Sequence, residues 1–411
     1  MNERTGQDNA SPALGIAVLG ATGSIGRSTL RVLELHPEKY RVDALTAYSD
    51  VEAMQQLCDK WAPEYAVMGD PEAAQRLTEC LKRSGCNTEV LAGADGLLQA
   101  ATLPSTDLVM AGIVGAAGLI PTLAALQADK RVLLANKEPL VMAGALFMQA
   151  LKQGRGELIP VDSEHNAVLQ CLPSDYRCGR TPENIAQVIL TASGGPFCNS
   201  SKEAMLAVTP EQAVRHPNWT MGPKISVDSA TMMNKGLELI EAAWLFALPA
   251  DKFSVLVHPQ SLVHALVQFE DGSLMAHLGQ PDMRVPISAA LNWPHRTHSG
   301  VSALDLLAHK DLSFSQVDLE RFPCVSLALQ ALRSKGSAAL VLNAANEVAV
   351  DRFLNKQIGF MDIHRVCEQV MNVLAAEPEP TDLPAVIELD QRVRQQARSL
   401  IDSFSRNTAH A

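Results

Sequence analysis

Aromatic side chains make up only 4% of this 411-residue chain, with four tryptophans and four tyrosines. Stacking platforms for nucleic-acid bases need more than that. Positive charge is also in deficit. Lys and Arg number 34 against 45 Asp and Glu, a net charge of −11, which argues against a nucleic-acid partner. A small phosphorylated ligand needs only a local site and stays open. None of the eight cysteines forms a Cys-x-x-Cys pair, so a zinc ribbon is not indicated and reduced thiols in a cytoplasmic protein are. No apolar run reaches membrane-spanning length. Met1 to Leu14 lacks the apolar stretch of a secretory signal and reads as a disordered leader. Internal repeats are absent.

What is present begins with a dinucleotide-binding pattern. Gly15-Ile-Ala-Val-Leu19 suits a buried parallel strand. Gly20-Ala-Thr-Gly23-Ser-Ile-Gly26 follows, then a helical pattern from Ser28 to Leu35. Strand, glycine turn and helix bring backbone N–H groups and a helix N-terminus to a pyrophosphate. Further strands are expected at Tyr40–Ala47, Ala66–Met68, Asp107–Met110 and Arg131–Ala135. That alternation predicts an α/β fold with a Rossmann-like doubly wound parallel sheet. Asp50, past the second strand, can accept from a ribose 2′-hydroxyl, and this segment alone leans towards NAD. Lys137, in Asn136-Lys-Glu-Pro139 at a strand's C-terminal end, is a candidate for substrate contact or for a surface ion pair with Glu138.

The middle of the chain concentrates polar chemistry. Leu158-Ile-Pro-Val161 reads as a strand running into Asp162-Ser-Glu164-His165-Asn166. If that end is extended, Asp162 and Glu164 point the same way, and with Glu238 they make a hard oxygen site suited to Mg²⁺ or Mn²⁺. The competing reading is helix capping by Asp162 or Ser163. His165 would face away from both carboxylates and serve a structural hydrogen bond. Thr191-Ala-Ser193-Gly-Gly195 reads equally as a phosphate nest or a plain turn. Ile225–Asp228 is read as a short strand with Ser229 at its end, and Thr231–Glu241 as a helix. Ser193, Ser229, Asn234 and Lys235 can then cradle one phosphate. His216 to Pro223 reads as a lid over substrate with Trp219 in it, or as packing. A strand-rich stretch over residues 255–278, turning at Asp271-Gly272, offers an edge for pairing two subunits, and His258, His264 and His277 in it read as structural. Residues 291–322 look like a linker. From Cys324 onward a helical period returns, with Asn343, Asn346 and Glu347 as a buried polar contact between domains. Ser405 to Ala411 reads as a frayed tail.

Together these blocks resemble 1-deoxy-D-xylulose 5-phosphate reductoisomerase, the NADPH- and metal-dependent family that opens the methylerythritol phosphate route to isoprenoids. The likeness runs from about Gly15 to the end. It rests on Gly20–Gly26, Leu134-Ala-Asn-Lys-Glu138, Val161–Asn166, Ser193–Phe197 and Arg215–Glu238. It implies that Asp162, Glu164 and Glu238 bind the metal and that Ser193, Ser229, Asn234 and Lys235 hold the phosphate. Lys137, Ser163 and His216 would contact the substrate backbone. Thr22, Gly23, Ser24, Ile25, Asn136, Glu138 and Gly222 would line the NADPH site. Trp219 and Met221 would belong to a mobile lid, and Met283 would sit near the ring system. The resemblance also implies a homodimer and three parts: a cofactor domain at 15–161, a central α+β catalytic domain with a dimer-forming sheet at 162–296, and a helical bundle at 326–411 after a linker at 297–325. One departure stands out. Where the family often has Gly-x-Asn after the second strand, this chain has Tyr48-Ser49-Asp50, whose carboxylate would repel a 2′-phosphate. NADPH is kept as the expectation because other loops can supply the cation. The expected reaction is rearrangement and reduction of 1-deoxy-D-xylulose 5-phosphate to 2-C-methyl-D-erythritol 4-phosphate. The alternatives are a simpler dehydrogenase of the homoserine dehydrogenase type and a non-catalytic NADPH-binding regulator.

Overall fold

The protein is described from a computed structural model over residues 12–408, apart from 217, 218, 220 and 310. The expected leader up to residue 11, three positions of the expected lid and the last three residues of the expected tail lie outside the described residues. Leu14, placed in the leader by sequence, is the first residue of a strand. The tail from Ser405 to Thr408 continues the Leu383–Thr408 helix.

Two sheets organise the chain. The first has seven parallel strands: β1 (Leu14–Leu19), β2 (Tyr40–Ala47), β3 (Tyr65–Met68), β4 (Glu89–Ala92), β5 (Leu108–Ala111), β6 (Arg131–Leu134) and β7 (Glu157–Pro160). Their order is β4-β3-β2-β1-β5-β6-β7. The order reverses between β1 and β5, the switch point where doubly wound sheets bind ligands beyond the strand C-termini. These strands are short and apolar because helices cover both faces. Ile16, Ala17, Val18 and Leu19 are fully buried, as are Val132, Leu133 and Leu134. β4 was not expected from sequence. Its four residues are an exposed edge with little apolar signal.

The second sheet is mixed: β8 (Ile185–Ala192), β9 (Phe253–Val257), β10 (Val263–Phe269), β11 (Leu274–Leu278) and β12 (Ser315–Gln316), in the order β11-β10-β8-β9-β12. β10 and β11 form the expected hairpin, with Gly272 at φ 90° in its turn. The Ser163–Cys171 helix packs on β10 and β11. The stretch expected as linker is not featureless. It takes in the end of the Arg284–Asn292 helix, and β12 pairs with β9. Four helices then follow, Pro323–Ser334, Ala338–Leu354, Asp362–Leu374 and Leu383–Thr408. All eight cysteines are unpaired. Among the described residues, no helix is long and apolar enough to cross a membrane.

Two local expectations need correction. Ile225–Asp228 is not a strand but lies within the Pro223–Ala230 helix. Ile and Val two apart mimic strand alternation, yet Pro223 at the first helical position pre-sets helical φ. The predicted Thr231–Glu241 helix also begins later. Met232 takes a left-handed conformation (φ 57°), and the Met233–Phe246 helix starts after it. After this break Asn234 and Glu238 bond Lys137, and Lys235 bonds Glu164, residues that follow β6 and β7 in the chain.

Candidate active site

The glycine turn is built by close approach. Gly20 has φ +82°, and a Cβ on Gly26 would fall 2.4 Å from the Gly20 carbonyl oxygen. The Ser24–Leu33 helix therefore starts hard against β1, and no side chain caps its first turn. Gly20 N–H donates to Thr46 Oγ1 at 2.9 Å and Ala21 N–H to the Thr46 carbonyl at 2.7 Å, which ties the turn to the end of β2. Thr22 accepts from Arg27 Nε at its carbonyl. Gly23, Ser24 and Ile25 complete the turn. On the other side of the switch point, buried Asn136 donates from Nδ2 to the Gly115 carbonyl at 3.0 Å and also to that of Ile113.

The polar burst after β7 is a helix start. Asp162 caps the Ser163–Cys171 helix by accepting from Ser163 N–H at 2.9 Å. The capping geometry and the carboxylate cluster are thus both present. Oxygens of Asp162, Glu164 and Glu238 lie within 4.8 Å of one another. The convergence comes from two helix starts meeting, not from an extended strand. His165 does not face away, because on a helix it returns to within 3.8 Å of Asp162 Oδ2. Its structural hydrogen bond is there, from Nε2 to the Glu238 carbonyl oxygen at 2.8 Å.

Glu238 is buried and Asp162 and Glu164 are partly so, and three carboxylates this close repel unless cations compensate them. Lys137 Nζ is 2.6 Å from Asp162 Oδ2 and 3.0 Å from Glu238 Oε1. Lys235 Nζ is 2.7 Å from Glu164 Oε1 and also bonds Glu238. Burial opposes the charge on both lysines, but their carboxylate partners outweigh it and raise both pKa values. Burial likewise opposes ionisation of Asp162, yet Lys137 and its neighbours hold it down to about 2. Burial, then Glu164, pushes Glu238 up. Asn234 donates to Glu238 and accepts from Lys137 Nζ at 2.8 Å. Ser163 Oγ donates to Glu164 Oε2 at 2.5 Å. An all-oxygen donor set of three carboxylates fits a hard divalent cation, Mg²⁺ or Mn²⁺.

The expected phosphate residues fall into two groups. Ser193 Oγ lies 3.0 Å from His216 Nε2 and accepts from Gly195 N–H. A Cβ on Gly195 would come 2.6 Å from the Ser229 carbonyl oxygen, so this turn is pressed onto the end of the Pro223–Ala230 helix. Asn234 and Lys235 instead turn towards the carboxylates. His216 is neutral above a pKa that burial lowers to about 4, and its Nδ1 accepts from Trp219 N–H at 3.0 Å. Trp219 is half-buried, with its ring 6.5 Å from that of His264. Gly222 is the N-cap of the Pro223–Ala230 helix, and Met221 precedes it half-buried. Met283 begins the Arg284–Asn292 helix, which packs against the Ser24–Leu33 helix of the glycine turn.

Sequence reasoning missed two charged groups. Lys224 Nζ sits 2.5 Å from Glu138 Oε1 and 2.8 Å from Asp228 Oδ2, and Asn346 Nδ2 donates to Asp228 Oδ1 at 2.8 Å. This chain joins the end of β6, the Pro223–Ala230 helix and the Ala338–Leu354 helix. Glu241 is fully buried, 3.3 Å from His165 Nδ1. Burial, then Asp162, raises its pKa well above the usual range. A glutamate one turn beyond Glu238, in the otherwise apolar stretch 239–246, was the available signal.

Three family profiles match: 1-deoxy-D-xylulose 5-phosphate reductoisomerase over residues 16–144, its C-terminal domain over 158–246, and the DXP reductoisomerase C-terminal domain over 278–396. A 1-deoxy-D-xylulose 5-phosphate reductoisomerase of Pseudomonas putida strain F1 is 54% identical over 391 residues, covering 95% of this chain and 98% of its own length. The chain belongs to the 1-deoxy-D-xylulose 5-phosphate reductoisomerase family. The reductoisomerase of Methylobacillus flagellatus is 53% identical over 93% of this chain and 96% of its own. A solved DOX-P reductoisomerase in complex with NADPH, fosmidomycin and magnesium superposes with a TM-score of 0.91 at 42% identity, covering 95% of this chain and 99% of its own. The Zymomonas mobilis reductoisomerase in complex with NADPH gives a TM-score of 0.86 at 44% identity, covering 95% of this chain and 99% of its own.

Proposed function

We propose that Asp162, Glu164 and Glu238 hold the divalent metal, Mg²⁺ or Mn²⁺, and that Lys137, Ser163 and His216 orient the substrate backbone beside it. Ser193, Ser229, Asn234 and Lys235 bind the phosphate, and Thr22, Gly23, Ser24, Ile25, Asn136, Glu138 and Gly222 line the cofactor site. The chain is an NADPH- and metal-dependent oxidoreductase of the methylerythritol phosphate route. It rearranges and reduces 1-deoxy-D-xylulose 5-phosphate to 2-C-methyl-D-erythritol 4-phosphate. The single observation that carries the site reading is the convergence of three carboxylate oxygens within 4.8 Å, flanked by two buried lysines. The simple dehydrogenase and the non-catalytic regulator are not favoured, given relatives alike over 95% of the chain.

When bound, the metal supplies Lewis-acid polarisation of the substrate oxygens. Lys137 and Lys235 already lie against the carboxylates. With these carboxylates engaged on an ion, the two ammonium groups would be free to bind substrate oxygen and phosphate. His216, neutral above pH about 4, offers Nε2 to a substrate hydroxyl in place of Ser193. Trp219 and Met221 close over the substrate and exclude water. The phosphate supplies binding energy remote from the reacting carbons.

We propose further that the chain divides as a cofactor domain at 15–161, a catalytic domain at 162–296 and a bundle at 326–411, and that it works as a cytoplasmic homodimer. Support for the dimer is the outermost strand β11, where Leu274, Met275 and Leu278 are exposed on an unpaired edge. A single-chain mass in sedimentation velocity would count against it.

The metal assignment is tested by Asp162→Asn. Calorimetric titration with Mn²⁺ should lose its binding isotherm, and turnover should fall by about a thousandfold or more. NADPH affinity should stay within about threefold of wild type. Unchanged Mn²⁺ binding would remove Asp162 from the ligand set.

A further inference from the structure

The edge of the cofactor site beyond β2 carries a charge pattern of its own. The glycine turn is hydrogen-bonded to Thr46, and Tyr48, Ser49 and Asp50 follow, all exposed. In a doubly wound sheet this is where the adenosine ribose of a dinucleotide lies. Asp50 caps the Val51–Trp61 helix, with Oδ1 accepting from Ala53 N–H at 3.1 Å. Next to it, Asp70 N–H donates to the Tyr48 carbonyl at 2.9 Å. The Asp70 carboxylate caps the Pro71–Ser84 helix. Glu52 and Glu72 stand in the first turns of the same two helices. Four carboxylates thus surround the ends of β2 and β3. Between residues 46 and 75 the sequence has one cation, Lys60. It sits in the last turn of its helix and pairs with Glu34 at 2.5 Å.

A 2′-phosphate brings a charge of nearly −2. Here it meets carboxylates, and the Ala53 N–H at the helix start is already taken by Asp50. A 2′-hydroxyl is neutral and can donate to a carboxylate oxygen. Tyr48 adds a surface that does not distinguish the two. Its ring lies against Gly69, where a Cβ would come within 2.7 Å of Cδ2, and the residue is 76% exposed, which leaves the ring open for stacking on adenine.

We infer that Tyr48-Ser49-Asp50 is built to take a ribose 2′-hydroxyl as well as a 2′-phosphate, with Asp50 as the specificity-determining residue, so that this enzyme uses NADH alongside NADPH. The inference rests on the reductoisomerase reading of the glycine turn and concerns only the adenosine end of that site.

The test has a kinetic and a binding arm. The kinetic arm compares kcat/KM for NADPH and NADH, with 1-deoxy-D-xylulose 5-phosphate and Mn²⁺, in wild type, Asp50→Asn and Asp50→Arg. Asn keeps the helix cap and removes only the charge. The expected wild-type preference for NADPH is below about a hundredfold, rising about tenfold or more in Asp50→Arg, mostly through KM. The Asn variant falls between. In the binding arm, 2′,5′-ADP and 5′-ADP displace bound NADPH at similar concentrations from wild type, while Asp50→Arg favours 2′,5′-ADP. A wild-type preference above about a hundredfold that neither substitution changes overturns the inference, as does tight selection of 2′,5′-ADP by wild type. The displacement series decides this without turnover. Failure to oxidise either nucleotide, with displacement as expected, counts against the proposed reaction alone.

Discussion

Lys137 and Lys235 hold together a set of side chains that would otherwise repel. Their ammonium groups stand 2.6–3.0 Å from oxygens of Asp162, Glu164 and Glu238, in a place where each charge has little water. Removing one partner of a buried pair leaves an uncompensated charge, at about 3–5 kcal/mol. Lys235→Met should therefore lower the unfolding free energy of metal-free protein by about 3–5 kcal/mol. Added Mn²⁺ should restore part of that loss, because the ion replaces the missing cation. Denaturant unfolding with and without Mn²⁺ checks both halves. No destabilisation, or no recovery with Mn²⁺, would mean that the lysine is not the counter-charge of this cluster. The residue types of the cluster were legible in the sequence, since Asp162, Glu164, Asn234, Lys235 and Glu238 stand in two dense polar runs. Their geometry was not. Alternation by two suggested that Asp162 and Glu164 share a side, whereas a helix cap and its first turn bring them together with Glu238. Glu241 and Lys224 escaped because a lone charge in an apolar or turn-rich run does not reveal its burial.

The Pro223–Ala230 helix is the element that ties the chain's parts together. Its first turn carries Lys224, which pairs with Glu138 beyond β6 and with Asp228 one turn on. Asp228 in turn accepts from Asn346 in the C-terminal helices. Burial works against the charge of Lys224, and the two carboxylates raise its pKa regardless. Lys224→Met should cost about 3–5 kcal/mol by stranding Glu138 and Asp228. It should also weaken NADPH binding, because Glu138 and the Gly222 cap both lose their anchor. Thermal unfolding and a fluorescence titration with NADPH measure the two effects. A variant as stable as wild type would show that the pair is dispensable. Strong elements were readable in sequence: β1, the glycine turn and the helix after it follow from apolar continuity and spacing. Ile225–Asp228 was misread because four residues cannot separate a period of two from one of 3.6. The decisive mark was Pro223 at the helix start. β4 was missed because an exposed four-residue edge has no apolar pattern to read.

Across the molecule, the buried His264 and the half-buried His277 make stability depend on pH. His264 and His277 pack with ring centroids 5.6 Å apart. Burial lowers both from the ordinary 6.5 to about 4. The unfolded chain binds these protons first as pH falls, so their contribution is complete above 6.5 and is lost between about 6.5 and 4. The unfolding free energy from urea titrations should hold steady from pH 8 to 7 and drop by pH 5, by about 2 kcal/mol for each ring and about 4 kcal/mol for the pair. A flat profile would contradict their burial as neutral rings. The account of the whole enzyme rests on one claim, that metal and NADPH act in the same site on 1-deoxy-D-xylulose 5-phosphate. NADPH oxidation in the presence of that substrate, followed by absorbance with Mn²⁺ and after chelation, tests it most directly. The account predicts oxidation with metal and none after chelation, restored by adding Mn²⁺ back. Oxidation that persists after chelation, or its absence from folded, NADPH-binding protein with Mn²⁺ present, would contradict it.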